Sequence, residues 1–86
     1  MTVRVSSHLH SYTQGRSSVE AEGSTLAELM ADLDRKFPGI RFRVIDEQDN
    51  IRPHINVFVQ RTLVRDLGCP LSSGDDVFIL GALSGG

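Results

Sequence analysis

Tryptophan is absent from this 86-residue chain, cysteine occurs once, proline three times, and aromatic residues make up 6% of the sequence. One cysteine, Cys69, cannot close an intramolecular disulfide, so nothing in the cysteine usage points to an oxidising compartment. Apolar runs are short. Val77-Phe78-Ile79-Leu80 is among the longest, far below the roughly 20 apolar residues a membrane-spanning helix needs. The opening Met1-Thr2-Val3-Arg4 leads straight into an alternating pattern without the apolar core of a signal peptide, so the cytoplasm is the expected location. Charge of one sign is lacking as well. Nine Lys and Arg against eleven Asp and Glu give a net charge of −2, which argues against a dedicated nucleic-acid binder. No phosphate loop, Gly-rich nucleotide fingerprint or nucleophile–base pattern is found. Length adds a further exclusion. A chain of this size makes one domain, 1–86, and buries roughly 60–65% of its unfolded surface, too little to enclose a substrate deeply. A self-sufficient enzyme is therefore not expected.

What is present begins with alternation. Over residues 3–9, Val3, Val5 and Leu9 lie on one side and Arg4, Ser6, His8 and His10 on the other, which predicts a half-buried strand. A polar turn around Gly15 and a second alternation, Val19 and Ala21 against Glu20 and Glu22, complete a hairpin. The helix signal over 25–37 is the strongest in the chain. Thr25 and Glu28 have the spacing of a capping box. Leu26, Leu29, Met30, Leu33 and Phe37 form one apolar stripe, Arg35 and Lys36 suit the helix C-terminus, and Pro38-Gly39 ends it. The pattern weakens over 41–45, which reads as a strand or an irregular segment, and 46–50 reads as a solvated polar loop. Ile55, Val57 and Val59 then mark a strand, Gln60-Arg61-Thr62 a turn, 63–67 a short edge element, and Ser72-Ser73-Gly74-Asp75 another turn. Val77 to Leu80 is the last strand, followed by a tail of mostly small residues, of which about 82–86 is expected to be flexible. One helix covers one face of such a sheet, giving an α+β roll. A right-handed crossover returns the chain beside the first strand. The expected fold is thus a β-grasp with a mixed sheet of four or five strands.

The C-terminal part carries a family resemblance. Gly74-Asp75-Asp76 before an apolar strand, then Gly81-Ala82-Leu83-Ser84-Gly85-Gly86, resembles the ending of the ubiquitin-like sulfur carriers of the ThiS/MoaD type, among them the molybdopterin synthase small subunit and the thiamine carrier. Thr25-Leu26 and His54-Ile55-Asn56-Val57-Phe58-Val59 are similar to the family too, and the long 38–53 stretch resembles the subgroup serving cysteine or thio-metabolite biosynthesis. The sequence departs from many relatives at Gly81-Ala82, where they carry proline. The resemblance implies that an E1-like enzyme adenylates the Gly86 carboxylate with ATP and that sulfur then displaces AMP, leaving a thiocarboxylate. The chain itself would bind no cofactor. Its implied partners are that adenylyltransferase/sulfurtransferase, a downstream sulfur-accepting enzyme, and a metalloprotease that trims or releases the C-terminus; nucleic acid and membrane are not among them.

The residues make sense of this chemistry. Gly85 and Gly86, without Cβ atoms, can thread a narrow channel toward a nucleotide, and Gly81, Ala82, Leu83 and Ser84 prolong the slim profile. The bland alternative is a frayed terminus that ends in glycine. A ubiquitin-like modifier or an interaction module with the same Gly-Gly end is the other functional reading. If Ile55, Val57, Val59, Val77 and Ile79 face the helix, then Phe58, Phe78 and Leu80 point away from it and form a docking patch. Scattered surface hydrophobes would be the alternative. Cys69, with no neighbouring pattern that would activate it, is expected to be a partly buried structural residue. His8 and His10 share a predicted strand face but lack a third ligand, so no metal site is expected.

Overall fold

The computed structural model describes residues 1–81. The alternating segments become five strands: β1 Thr2–Val5, β2 Ser18–Glu20, β3 Ile55–Val59, β4 Thr62–Val64 and β5 Asp76–Gly81. They form one sheet in the order β2-β1-β5-β3-β4. β1 runs parallel to β5, and the other neighbours are antiparallel. The last strand therefore lies at the centre, beside the first, as the crossover argument predicts.

Helix α1, Leu26–Lys36, lies across one face because its stripe has nowhere else to go: Leu26, Leu29, Met30 and Leu33 are fully buried. They meet Val3, Val57, Val77 and Ile79 from the sheet. At about 25 cal/mol per Å² of apolar surface, each such side chain contributes roughly 1.5–3 kcal/mol. The helix start follows the predicted capping box in one half only. The Thr25 hydroxyl accepts the Glu28 N–H at 3.2 Å, but the Glu28 carboxylate reaches back to the N–H and hydroxyl of Ser24, at 2.9 and 2.6 Å. The Ser24 hydroxyl and amide hold the Glu28 carboxyl below its usual range. Two more orphan donors of the first turn, Leu26 and Ala27 N–H, are taken by the carbonyls of Cys69 and Leu67. Further along, the Asp32 carboxylate accepts the Glu22 N–H at 2.9 Å and pairs with Arg35 and Lys36. The Glu22 amide, and then Arg35, lower its pKa to about 2. The helix is closed at Phe37, whose N–H donates to the Leu33 carbonyl, and Gly39, at φ 99°, makes the left-handed turn that begins the next helical segment.

Three expectations are corrected. The strand predicted over 3–9 stops at Val5, and Ser7–Leu9 forms a single 3-10 turn. Leu9 is buried all the same, because the turn rather than a pleat delivers it to the core. His8 and His10 accordingly do not share a strand face, and the His10 ring engages the Val5 carbonyl at 3.2 Å. The segment 41–45, read as a strand or irregular, lies mostly in a short helix, α2, Ile40–Val44. Ile40 and Val44, four apart, are both fully buried, and that helical spacing was masked by the intervening Arg41-Phe42-Arg43. Finally, β5 extends one residue past Leu80 to include Gly81. The polar loop is a turn as expected, with the Asp46 carboxylate accepting the Gln48 and Asn50 N–H groups. No helix among the described residues is long and apolar enough to cross a membrane.

Candidate functional site

Strand alternation decides what the uncovered face presents. On β5, Val77, Ile79 and Gly81 are buried while Asp76, Phe78 and Leu80 are half-exposed; on β3, Ile55, Val57 and Val59 are buried while Asn56 and Phe58 are half-exposed. The predicted phase is therefore the observed one, and Phe58, Phe78 and Leu80 all point away from α1. Register then places them in a row. Arg4 lies opposite Phe78, Phe78 opposite Phe58, and Phe58 opposite Leu63. The two phenyl rings stack with centroids 6.4 Å apart and planes inclined by 28°. The Arg4 guanidinium covers the Phe78 ring at 5.2 Å and is itself held by Asp76 at 2.7 Å. Arg4, Phe58, Arg61, Asp76, Phe78 and Leu80 line one groove of about 340 Å³.

Sequence reasoning missed four contributors to this face. Leu63 is 50% exposed, and it extends the aromatic row to the sheet edge. Locating it requires the β3–β4 register, and the connecting Gln60-Arg61 pair gave no hint of one. Both residues have positive φ, 51° and 70°, the left-handed values that two-residue hairpin turns require and that Asn-Gly normally supplies. The Gln60 side chain helps hold that turn by accepting the Asp76 N–H at 2.6 Å. Arg61 reaches the groove because of this turn, whereas Arg4 and Asp76 reach it by ordinary strand alternation.

The second part of the site is the place where β5 ends. Gly81 pairs with Ile55 on β3, and its N–H donates to the Ser6 hydroxyl at 2.9 Å. Gly81 is buried, and a Cβ at this position would lie 3.2 Å from the His8 Cβ and 3.4 Å from the Ile55 Cδ1. Gly81, the last described residue, thus sits in a close-fitting collar of Ser6, His8 and Ile55. The remaining expected tail residues, Ala82, Leu83, Ser84, Gly85 and Gly86, lie outside the described residues. Cys69 is a half-buried free thiol packed against the core, as expected, and is not among the residues that line the groove.

A mixed five-stranded sheet with parallel central strands wrapped over one helix defines the ubiquitin-like β-grasp class. The chain belongs to the ThiS family, whose model matches residues 3–86. It is 34% identical over 91 residues to the sulfur carrier protein CysO of Mycobacterium tuberculosis (strain ATCC 25618 / H37Rv), with 100% of this chain and 98% of the relative covered. A chain in the crystal structure of the Amycolatopsis orientalis BexX/CysO complex superposes with a TM-score of 0.91 at 34% identity, covering 99% of this chain and 98% of that one. The small archaeal modifier protein 1 of Methanosarcina acetivorans, at a TM-score of 0.82 and 20% identity over 99% of this chain and 94% of its own, shares the fold.

Proposed function

We propose that this protein is a sulfur carrier, a cosubstrate rather than a catalyst, whose Gly86 carboxylate is the group that is loaded. The single observation that supports this most is full-length similarity to a sulfur carrier protein, continuing through the Gly-Gly end. A carboxylate is a poor electrophile, so loading begins when a partner transfers AMP from ATP to it and releases pyrophosphate. A sulfur nucleophile then displaces AMP from the acyl carbon and leaves a thiocarboxylate. ATP is the partner's cofactor, and this chain contributes reach, shape and a docking face. The partner is an E1-like activating enzyme, and the acceptor is an enzyme of cysteine or thio-metabolite biosynthesis. The test is an intact-mass spectrum after incubation with the activating enzyme, ATP and a sulfur source. Replacement of one oxygen by sulfur at the C-terminus is expected. Adducts on protein lysines, with no thiocarboxylate, would instead mark a ubiquitin-like modifier.

The aromatic row is the proposed docking face for the activating enzyme. Burying one phenyl ring at an interface contributes about 1.5–3 kcal/mol, so Phe78→Asp or Phe58→Asp is expected to weaken binding at least about tenfold. Both side chains lie outside the core, and the isolated variants should still show the cooperative thermal transition of the parent. Titration calorimetry and a melting curve check the two halves separately. Unchanged affinity in a folded variant would remove this face from the interface.

A further inference from the structure

The bonds around Gly81 show an irregularity in the sheet that has a chemical reason. In a parallel ladder, one residue donates its N–H to a carbonyl on the neighbouring strand and accepts, with its own carbonyl, the N–H two residues further along that neighbour. Ser6 performs the first half: its N–H donates to the Ile79 carbonyl at 3.0 Å. Its carbonyl does not perform the second, because that oxygen accepts the Leu9 N–H at 2.9 Å, within the 3-10 turn that closes β1. The Gly81 N–H, which that carbonyl would otherwise have received, goes to the Ser6 hydroxyl at 2.9 Å. One side chain thus replaces a missing backbone rung at the last residue of β5. Ser6 itself is extended, at φ −73° and ψ 167°, and half-buried. The space a Gly81 Cβ would need is closed by the His8 Cβ and Ile55.

We propose that Ser6 is a positioning residue: its hydroxyl fixes the backbone of Gly81, the last described residue of β5, and so sets how readily the C-terminal carboxylate reaches a partner's nucleotide. This rests on the carrier reading above. The rung keeps β5 in register to its final residue, Gly81, while β1 turns away. Without it, the Gly81 N–H is left unpaired in a buried position, and Gly81 gains backbone freedom that must be given up again on binding. Such a loss falls on the affinity of the carrier for the activating enzyme and leaves the chemistry of adenylation alone.

The experiment compares Ser6→Ala, Ser6→Thr and Ser6→Val with the parent chain. Thr and Val have nearly the same shape, and both suit extended backbone, but only Thr keeps the hydroxyl. Two readouts are used: amide hydrogen exchange at Gly81 in the free protein, and pyrophosphate release by the E1-like adenylating enzyme of the same organism with ATP, at varied carrier concentration. Ser6→Ala and Ser6→Val are expected to exchange Gly81 at least about tenfold faster and to raise KM about fivefold at unchanged kcat, as expected for one lost hydrogen bond. Ser6→Thr is expected to restore both. A merely structural serine would lower the melting temperature without moving KM well below it. Fast exchange with an unchanged KM overturns the positioning role, as does a kcat loss in place of the KM rise, or a Val variant that matches Thr. A parent chain that is never adenylated overturns the carrier reading, and the positioning role with it.

Discussion

Deletion of Gly86 is expected to abolish adenylation. The shortened carboxylate would stop one residue, roughly 3.3 Å, short of the nucleotide, and in-line attack on a phosphate tolerates no such gap. Gly85→Val is expected to do nearly as much damage by a different route, because a branched side chain must enter a channel shaped for a residue with none. Both variants should melt with the parent, since the buried hydrophobic core of the described residues runs from Met1 to Ile79. Pyrophosphate release and intact mass read the first effect, and calorimetry reads the second. Normal sulfur loading of either variant would remove the main support for Gly86 as the loaded group.

The largest loss of stability is expected at a residue far from that chemistry. Gly23 lies against the first turn of α1, where an added Cβ would overlap the Leu29 amide nitrogen and sit 2.8 Å from the Glu28 carbonyl carbon and the Leu29 Cα. These are backbone atoms of a capped helix, and they cannot swing aside as a flexible side chain would. Overpacking of this kind costs about 1–3 kcal/mol or more, and in a domain of this size each kcal/mol lowers Tm by about 4–8 °C. Gly23→Ala is therefore expected to lower Tm by about 10–20 °C in a circular-dichroism melt. Gly74→Ala is the matched control, because a Cβ there meets nothing within 4 Å and its φ is not left-handed. It should melt within a few degrees of the parent. A Gly23→Ala variant as stable as Gly74→Ala would show that α1 can slide on the sheet.

How much of this was legible in the sequence depended on whether a local pattern had one physical cause. Leu26, Leu29, Met30 and Leu33 admit only a helix with one buried face, and Val57 and Val59 against Phe58 admit only one strand phase, so α1 and the aromatic row could be read directly. Leu9 was placed in a strand because an apolar residue in an alternating context looks the same whether a pleat or a 3-10 turn buries it. α2 was obscured by Arg41, Phe42 and Arg43, whose polar and aromatic character hides a two-residue helical stripe. Leu63 and Arg61 were out of reach for another reason. Their positions follow from the left-handed turn at Gln60 and Arg61, and neither residue type announces such a conformation. The Ser6–Gly81 bond spans 75 residues of sequence, and no local pattern encodes a contact of that kind.

The central position of β5 also governs what happens to an incomplete chain. Among the described residues, β5 alone pairs with both β1 and β3, so the sheet consists of two hairpins, β1-β2 and β3-β4, joined through that shared strand. An isolated hairpin is at best marginally stable in water. A chain that ends before residue 76 keeps both hairpins and α1 but lacks the strand that pairs them, so its sheet is split in two. Loss of β5 is therefore expected to abolish the cooperative fold and not merely to weaken it.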